Sequence, residues 1–345
     1  MRKLHVVLAF VLTLILFHTA SANSTKPNAD ACICITISAI GDCTLGMDDS
    51  QKKLRNFNLE YKEQSDDSYF FKQVYSILSN DDLTLANLEG TLTTNTKRAD
   101  KQYAFKGLPS YVSILKAGSI EAVNLANNHT HDYGFVGFED TQSILKKSQV
   151  HFCGAGHPSI QKVKGVNVGL IGINTLPLST DTIKNEITRQ INICHIKDVD
   201  LIIISFHWGE EGSYIPNKKQ QTLGHFAIDE GADLVLGHHP HVMQSIETYN
   251  GKFIVYSLGN FCFGGNTNPS DKDTFIYQQT FTFENGSLLA NKNTRVIPCS
   301  LSSVENRNNY QPQILEGNAR ILVLQKLNKL SYPFGVSFRL NGFVP

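Results

Sequence analysis

Short runs of apolar and β-branched residues alternate with stretches of helical periodicity along most of the chain. Apolar runs of this length predict strands, and apolar positions three or four residues apart predict helices. The alternation of the two predicts a layered α/β fold. The predicted strands are Ile33–Ile40, Leu83–Leu88, Ile120–Leu125, a short one near Val150, Val168–Ile173, Val199–Phe206 and Asp233–Leu236. The predicted helices are Tyr69–Leu78, Pro109 to about Ala117, Gly137–Lys147, Lys184–Ile196 and Lys218–Glu230.

The C-terminal pattern predicts antiparallel strands. Asn250-Gly251 and Asn285-Gly286 are typical of tight hairpin turns. The tail from about Thr274 is predicted as strands joined by polar loops, and Asp48 to Asp67 as a polar, acidic connection. We therefore predict one domain over residues 23–275 and a β-rich extension, 276–345, packed on it.

The N-terminus predicts a secretory signal peptide over residues 1–22. Arg2 and Lys3 precede an apolar run, Val6–Phe17, and Ala20-Ser21-Ala22 forms a small-residue cleavage signal. Cleavage near Ala22 would give an exported protein, periplasmic or secreted, with no stable membrane span. An uncleaved anchor is the alternative, although the apolar run is shorter than the ~20 residues of a membrane helix.

Composition narrows the possible partners and the redox chemistry. The 31 Lys and Arg balance 31 Asp and Glu, so the chain lacks the basic surplus typical of nucleic-acid binding, and we expect no nucleic-acid partner. Seven cysteines allow up to three disulfides and leave at least one thiol unpaired. Burial as small apolar residues is the alternative for most of them. Cys32 and Cys34 are expected on the same side of the first strand.

Polar side chains with metal-binding chemistry follow five of the predicted strands. Ligands gather at the carboxyl ends of strands in open α/β sheets. Carboxylate, amide and imidazole groups together suit one or two divalent ions such as Mn, Zn or Fe. A single histidine is more often a core or surface residue than a metal ligand. Here, however, polar side chains of this kind recur at five strand ends. The residues at the five ends are Asp42, Glu89, Asn128 with His129, His207, and His239 with His241.

His129 is the candidate general acid. A histidine that does not bind the metal can protonate a leaving group, and Asp132, three residues later, can hold the imidazole in one tautomer. The alternative is that this Asn-His-x-x-Asp segment caps a helix after the strand.

Six ordered motifs resemble those of the CapA-like family. That family is named for poly-γ-glutamate capsule biosynthesis, and its domain is similar to the calcineurin-like metallophosphoesterases. The resemblance covers roughly residues 35–265. The motifs are Gly41–Gly46, Asn87–Gly90, Asn127–Gly134, His207–Glu211, Gly237–Val242 and Tyr256–Phe261.

The resemblance implies a four-layer α/β/β/α sandwich in which two sheets lie between helices. It also implies that His129 lies beside the reacting oxygen. This sequence departs from the related phosphoesterases at two places: Asp42 is followed by Cys43-Thr44 where they have Asp-x-His, and Glu89 stands where they have a bridging Asp. The residues that the resemblance assigns to the metal site are Asp42, Glu89, Asn128, His207, His239 and His241.

Further residues are candidates for contacts around the metals or the substrate. His239-Pro240-His241 has the His-x-His spacing of the related enzymes, which leaves His238 for a supporting or substrate contact. We expect Glu210 or Glu211 to point into the cleft, with solvated loop residues as the alternative. Asn260 can bind an anion or be purely structural. Lys106 can steer a phosphate or carboxylate or be simply solvated.

Three functions fit these patterns. The first is an exported metal-dependent hydrolase that acts on a phosphoester or on an amide bond of an envelope polymer, in the setting of a capsule-synthesis membrane complex. The second is a non-catalytic accessory protein that binds an acidic polymer through a metal cleft. The third is a nucleotidase-like phosphatase, which would need the missing imidazole and a base-stacking module.

Overall fold

A computed structural model describes residues 32–50, 55–289 and 293–344. The predicted signal peptide lies outside the described residues. The strands are β1 (Cys32–Thr44), β2 (Met47–Asp48), β3 (Leu83–Leu88), β4 (Thr91–Leu92), β5 (Phe105–Gly107), β6 (Ala122–Asn124), β7 (His151–Cys153), β8 (Ser159–Val163), β9 (Val166–Asn174), β10 (Leu201–His207), β11 (Leu234–His238), β12 (Ile246–Tyr249), β13 (Lys252–Val255), β14 (Asn260–Phe263), β15 (Asp273–Glu284), β16 (Ser287–Leu288), β17 (Thr294–Ser300) and β18 (Gln313–Ile314). The helices are α1 (Phe57–Gln64), α2 (Tyr75–Leu78), α3 (Val112–Ala117), α4 (Gly134–Lys147), α5 (Thr180–Ile196), α6 (Lys218–Glu230) and α7 (Gly317–Ser331). Three 3-10 turns are Asp67–Phe71, Pro109–Tyr111 and Tyr332–Phe334.

Two large sheets organise the described residues. The first has the order β18-β17-β15-β1-β3-β6-β7, with β14 beside β1 and β16 beside β15. The second has the order β12-β13-β11-β10-β9-β8. The central strands of each sheet are parallel. Their carboxyl ends therefore meet at one edge of each sheet.

Three apolar clusters divide the molecule into four layers. One cluster lies between the sheets and joins Ile37 of the first to Ile203 of the second. Another packs the outer face of the first sheet on the helices before residue 150, as Leu88 with Leu115 illustrates. The last packs the second sheet on α5 and α6. This arrangement confirms the predicted α/β/β/α sandwich.

The parallel strands and their helices follow the predictions closely. All seven predicted strands exist, with ends shifted by a few residues, and α3 to α6 match their predicted segments. The pairs Tyr249 with Lys252 and Glu284 with Ser287 close the two predicted hairpins. These elements have strong apolar periodicity, so the sequence pattern is sufficient to locate them.

The region before β3 differs from the prediction. The stretch expected to be a polar connection contains α1, and the helix expected near Tyr69–Leu78 is divided into a 3-10 turn and the short α2. Only Phe57 and Glu60 of α1 are buried, so no apolar stripe marks this helix. Its start depends on Asn56, whose side chain accepts a hydrogen bond from the backbone N–H of Leu59 at 3.0 Å.

The tail beyond Thr274 contains the predicted strands and, in addition, α7. The apolar run from Ile321 to Leu324 is typical of a strand, but the buried residues Val323, Leu324, Leu327 and Ser331 have helical spacing. These apolar side chains join the cluster between the sheets. Strand β15 pairs directly with β1, so the C-terminal residues complete the first sheet.

The seven cysteines form no disulfides. Cys32 and Cys34 are both exposed, which confirms that they lie on the same side of β1, and the other five are buried. The possible disulfides of the sequence prediction are therefore not present, and burial as small side chains describes most of the cysteines. Among the described residues, no helix combines the length and apolar character needed to cross a membrane.

Candidate metal centre

The polar clusters of the five strand ends meet where the carboxyl edges of the two sheets adjoin. In the first sheet, Asp42 lies near the end of β1, Glu89 directly follows β3, and the Asn128–His129 segment follows β6. In the second sheet, His207 is the last residue of β10 and His238 is the last residue of β11, which leads into the His239–His241 turn. The pairing of β1 with β3 shifts register between Ala39 and Asp42. An irregularity of this kind changes the direction in which a nearby side chain points, here that of Asp42. A Cβ on Gly41 would lie 2.0 Å from the carbonyl oxygen of Gly259, so glycine is required at this approach.

Two carboxylates lie at the bottom of the centre, and both are completely buried. Asp42 accepts a 2.9 Å hydrogen bond from the Asn87 side chain. Burial opposes its ionisation, but the imidazoles of His238 and His241, at 3.4 and 3.3 Å, hold the pKa of Asp42 well below its usual value. Glu89 has no hydrogen-bond partner for either carboxylate oxygen. Burial raises the pKa of Glu89 to about 8.

His207 and Asn128 bring the two sheets together. Nε2 of His207 lies 2.8 Å from the Asn128 side-chain oxygen. The His207 ring is completely buried, and burial lowers its pKa well below the usual value. The imidazole is therefore neutral, which is the form that binds a metal.

The His239-Pro240-His241 turn has an unusual backbone. Both histidines have left-handed φ angles, 96° and 58°, a conformation that is strained for residues other than glycine and often occurs at functional sites. Burial lowers the pKa of His239 to about 4. Burial would also lower the pKa of His241, but Glu89 and Asp42 raise it to about 10. Nδ1 of His241 lies 2.8 Å from the Asn260 side-chain oxygen.

The donor chemistry fits divalent cations. Two groups each place three potential ligand atoms within 4.8 Å of one another: Asp42 with Glu89 and His207, and Glu211 with His239 and His241. Buried polar atoms without partners are costly, and this centre concentrates them in both oxygens of Glu89, Nε2 of His238 and Nδ1 of His239. A cation held by carboxylate and imidazole ligands would satisfy such atoms.

His129 lies at the side of this centre. Its Nδ1 is 2.6 Å from Asp132, and its Nε2 is 3.6 Å from a Glu89 oxygen. Burial lowers the pKa of His129, while Asp132 favours its protonated form. Lys101, which the sequence analysis did not identify, donates to Asp132 at 2.8 Å and to the Asn128 carbonyl at 2.9 Å. A lysine in a loop carries no signal of such a contact in the sequence.

Of the residues predicted to contact the metals or the substrate, some lie at the centre and others lie away from it. His238 is buried beside Asp42, and Asn260 contacts His241. Glu210 is exposed, and Glu211 is the member of this pair that joins the histidines. Lys106 forms a 2.7 Å ion pair with Asp49, and its ammonium group lies 4.6 Å from the centre of the Tyr133 ring.

A cavity of about 570 Å³ shares the loop that carries Asn128 and His129. Its lining includes Asn127, Thr130 and His131 from that loop and Asn174 and Gln190 from the second sheet and α5. The Gln190 side-chain oxygen is buried without a partner. None of the six residues predicted as metal ligands lines this cavity, so it is separate from the candidate metal centre.

Comparisons with known proteins agree with the motif order. The family model described as "Bacterial capsule synthesis protein PGA_cap" matches residues 36–265. The chain is 31% identical over 276 residues to the PGA biosynthesis protein CapA of Bacillus subtilis, a match that covers 74% of this chain and 70% of the relative. It is 32% identical over 226 residues to the capsule biosynthesis protein CapA of Bacillus anthracis, covering 56% and 54% of the two chains.

Two more distant similarities are weaker. A "Probable polyglutamine synthesis accessory protein" of Mycobacterium tuberculosis is 28% identical over 208 residues, 52% of this chain and 55% of that one. The chain therefore spans little more than half the length of the B. anthracis and M. tuberculosis relatives. A solved purple acid phosphatase from yellow lupin has a TM-score of 0.34 and 9% identity, covering 83% of this chain and 55% of that one.

Proposed function

Because the chain belongs to the bacterial capsule synthesis protein (PGA_cap) family, we propose that it is an exported, metal-dependent hydrolase that acts in the synthesis of an envelope polymer. Export rests on the predicted signal peptide over residues 1–22. The proposal of hydrolase activity rests on the candidate metal centre and on the adjacent His129.

The observation that carries the proposal is the environment of Glu89. Its carboxylate is buried, lacks hydrogen-bond partners, and lies near Asp42 and the imidazoles of His129 and His241. A purely structural carboxylate would be hydrogen-bonded or ion-paired by a permanently charged group. The arrangement is that of a cation site, with Asp42, Glu89, Asn128, His207, His239 and His241 as the proposed ligands.

The chemistry that a bound divalent cation supplies is polarisation of a substrate oxygen and a lower pKa for an attacking water. His129 supplies the proton for the leaving group, because its Nε2 faces the centre while Nδ1 is held by Asp132. Lys101 fixes Asp132 from the other side. The buried position of His129 keeps bulk water from competing for that proton.

The proposed substrate is a phosphoester or an amide bond of an envelope polymer. The names of the relatives point to capsule and PGA synthesis. A polyanionic polymer is compatible with a nearly neutral chain because cations in the centre would supply the local positive charge. Association with a membrane-bound synthesis complex is the corresponding partner proposal.

A second candidate function is a non-catalytic accessory protein that binds an acidic polymer through the same cleft. The name of the M. tuberculosis relative, a synthesis accessory protein, favours it. This alternative uses the same metal ligands but no proton donor, so variants of His129 would leave polymer binding unchanged.

The test is hydrolysis by the mature protein with Mn²⁺ or Zn²⁺, measured on phosphomonoester, phosphodiester and γ-glutamyl amide substrates. We expect turnover in the wild type and its loss in His239→Ala. His225→Ala is the matched control, since His225 pairs with Glu247 at 2.9 Å on the surface of α6. Metal binding with polymer binding but no turnover on any substrate would contradict the hydrolase and support the accessory protein.

A further inference from the structure

The loop after β10 carries two adjacent glutamates with different environments. Glu210 and Glu211 are both exposed, but a carboxylate oxygen of Glu211 lies within 4.8 Å of ring nitrogens of His239 and His241. Left-handed glycines, Gly209 and Gly212 with φ of 80° and 74°, flank the pair. This tight turn directs the second glutamate to the histidines.

Contacts on the C-terminal side hold the turn in place. The N–H of Gly212 donates to the carbonyl of Pro240 at 2.8 Å, which ties the loop to the His239–His241 turn itself. The Gln244 side chain donates to the Ser213 carbonyl at 2.7 Å. The Tyr214 hydroxyl donates to Asp271 at 2.8 Å, and Lys326 of α7 pairs with the same carboxylate. Glu211 is thus presented by an anchored loop.

One histidine in this group, His239, needs a partner that the described residues do not provide. His239 is 6% exposed, and its Nδ1 has no hydrogen bond. Burial of an imidazole nitrogen without a partner costs free energy. Two imidazoles and a carboxylate that converge on the exposed side of the centre form a donor set suited to Mn²⁺, Zn²⁺ or Fe²⁺.

We propose that Glu211 binds a divalent cation together with His239 and His241, at an outer position of the centre that exchanges with solvent. The inference rests on the proposed function for the existence of a metal centre, and it adds a ligand that the motif resemblance does not assign. The inner group of Asp42, Glu89 and His207 is completely buried, whereas Glu211 is exposed. The outer cation is therefore the first to be removed by a chelator.

The extra carboxylate also compensates the site for its missing imidazole. Cys43-Thr44 follows Asp42 where an Asp-x-His sequence would add a ligand, and Glu211 restores a ligand from another loop. Its negative charge lowers the net charge that two divalent cations would give to the cleft. The cleft would still attract an anionic ligand, because two such cations carry more charge than three carboxylates.

The test is titration of the metal-stripped mature protein with Mn²⁺, followed by the electron paramagnetic resonance signal of free Mn²⁺. We expect two classes of site in the wild type. Glu211→Gln should weaken the binding of Mn²⁺ to one class of site by at least about tenfold. Loss of a supporting residue typically costs about 10–100-fold in metal affinity, and loss of a direct ligand should cost at least as much. Glu210→Gln is the matched control and should titrate like the wild type. Glu211→His, which offers another ligand atom, should recover part of the lost affinity.

Each outcome separates this inference from the proposed function. Equal titrations of Glu211→Gln and Glu210→Gln would overturn the role of Glu211 while leaving the inner site and the hydrolase intact. Two sites with selective loss in Glu211→Gln, but no hydrolysis by the wild type, would support the inference and contradict the hydrolase. A wild type that binds no Mn²⁺ would overturn both. Circular dichroism of the exposed-site variants checks that all of them are folded.

Discussion

Glu89 is a carboxylate held in the interior without a hydrogen bond, which is unfavourable unless a proton or a cation compensates its charge. Burial favours the protonated form of this carboxyl when no cation is bound, and it raises the pKa of Glu89 to about 8. The ionised forms of Glu89 and Asp42 stabilise the protonated imidazole of His241 and raise its pKa to about 10. Metal binding would displace these protons, so uptake of a cation should be accompanied by proton release.

His129 provides a prediction at the level of one side chain. As the proton donor, it matters most when the leaving group is a poor one. His129→Gln should therefore lower kcat by about 10²–10⁴-fold for an alkyl phosphoester and much less for a nitrophenyl ester, which leaves without a proton. Kinetics on the two esters, with metal content measured in parallel, check this expectation.

The contrast between the two esters separates a chemical role from a structural one. His131→Gln, two residues away on the same loop, is the matched control, because the His131 ring packs on Phe135 and Phe138 instead of facing the centre. An equal loss on both esters, or a loss of bound metal in His129→Gln, would show that His129 is not the acid.

At the scale of elements, the residues at the strand ends were predictable from the sequence. The conformation of the loop after β10, which carries Glu210 and Glu211, was not. Parallel strands place their carboxyl ends together, so Asp42, Glu89 and His207 could be assigned to one centre from their positions after apolar runs. The choice of Glu211 over Glu210 depends on a turn made by Gly209 and Gly212. Helix α7 was missed because a short apolar run is compatible with either a strand or a helix.

The opposite edge of the first sheet carries acidic groups that accept hydrogen bonds from its strands. Glu121 accepts from the backbone of Thr84, and Asp82 accepts from that of Thr36. Between them, Asp81 accepts a 2.7 Å hydrogen bond from the Thr84 hydroxyl. Burial, with added repulsion from Glu121 and Asp82, raises the pKa of Asp81 to about 7.

This edge should make stability depend on pH. The folded chain holds the Asp81 proton more tightly than the unfolded chain, so the contribution to stability is present at low pH and is lost as pH rises through about 7. An asparagine side chain cannot ionise, so the Asp81→Asn variant does not lose this stability as pH rises. The free energy of unfolding of the variant minus that of the wild type should therefore be roughly 1–4 kcal/mol more positive at pH 8 than at pH 4.5.

Urea unfolding at the two pH values, with chelator present, measures this difference. Titration of the metal centre is common to both proteins and cancels between them. Asp100→Asn, at an exposed position, controls for the removal of one negative charge. The same wild-type-to-Asp81→Asn difference at both pH values would contradict the raised pKa.

At the scale of the whole molecule, the four layers bring two sheets together so that each contributes half of the centre. The chain beyond residue 275 belongs to this arrangement, since β15 pairs with β1 and α7 packs on the cluster between the sheets. Lys326 of α7 further fixes the loop of Glu211 through Asp271. Motif order and periodicity predicted the layers and most proposed ligands, whereas these long-range contacts have no local sequence signal.

The central claim is that the buried Glu89 centre holds a divalent cation. The measurement that tests it most directly is the metal content, by mass spectrometry, of the mature protein and of Glu89→Gln after incubation with Mn²⁺ or Zn²⁺ and removal of excess metal. The account predicts at least one equivalent of bound cation in the wild type and its loss in the folded Glu89→Gln variant. A wild type without bound metal, or a Glu89→Gln variant that keeps the full amount, would contradict it.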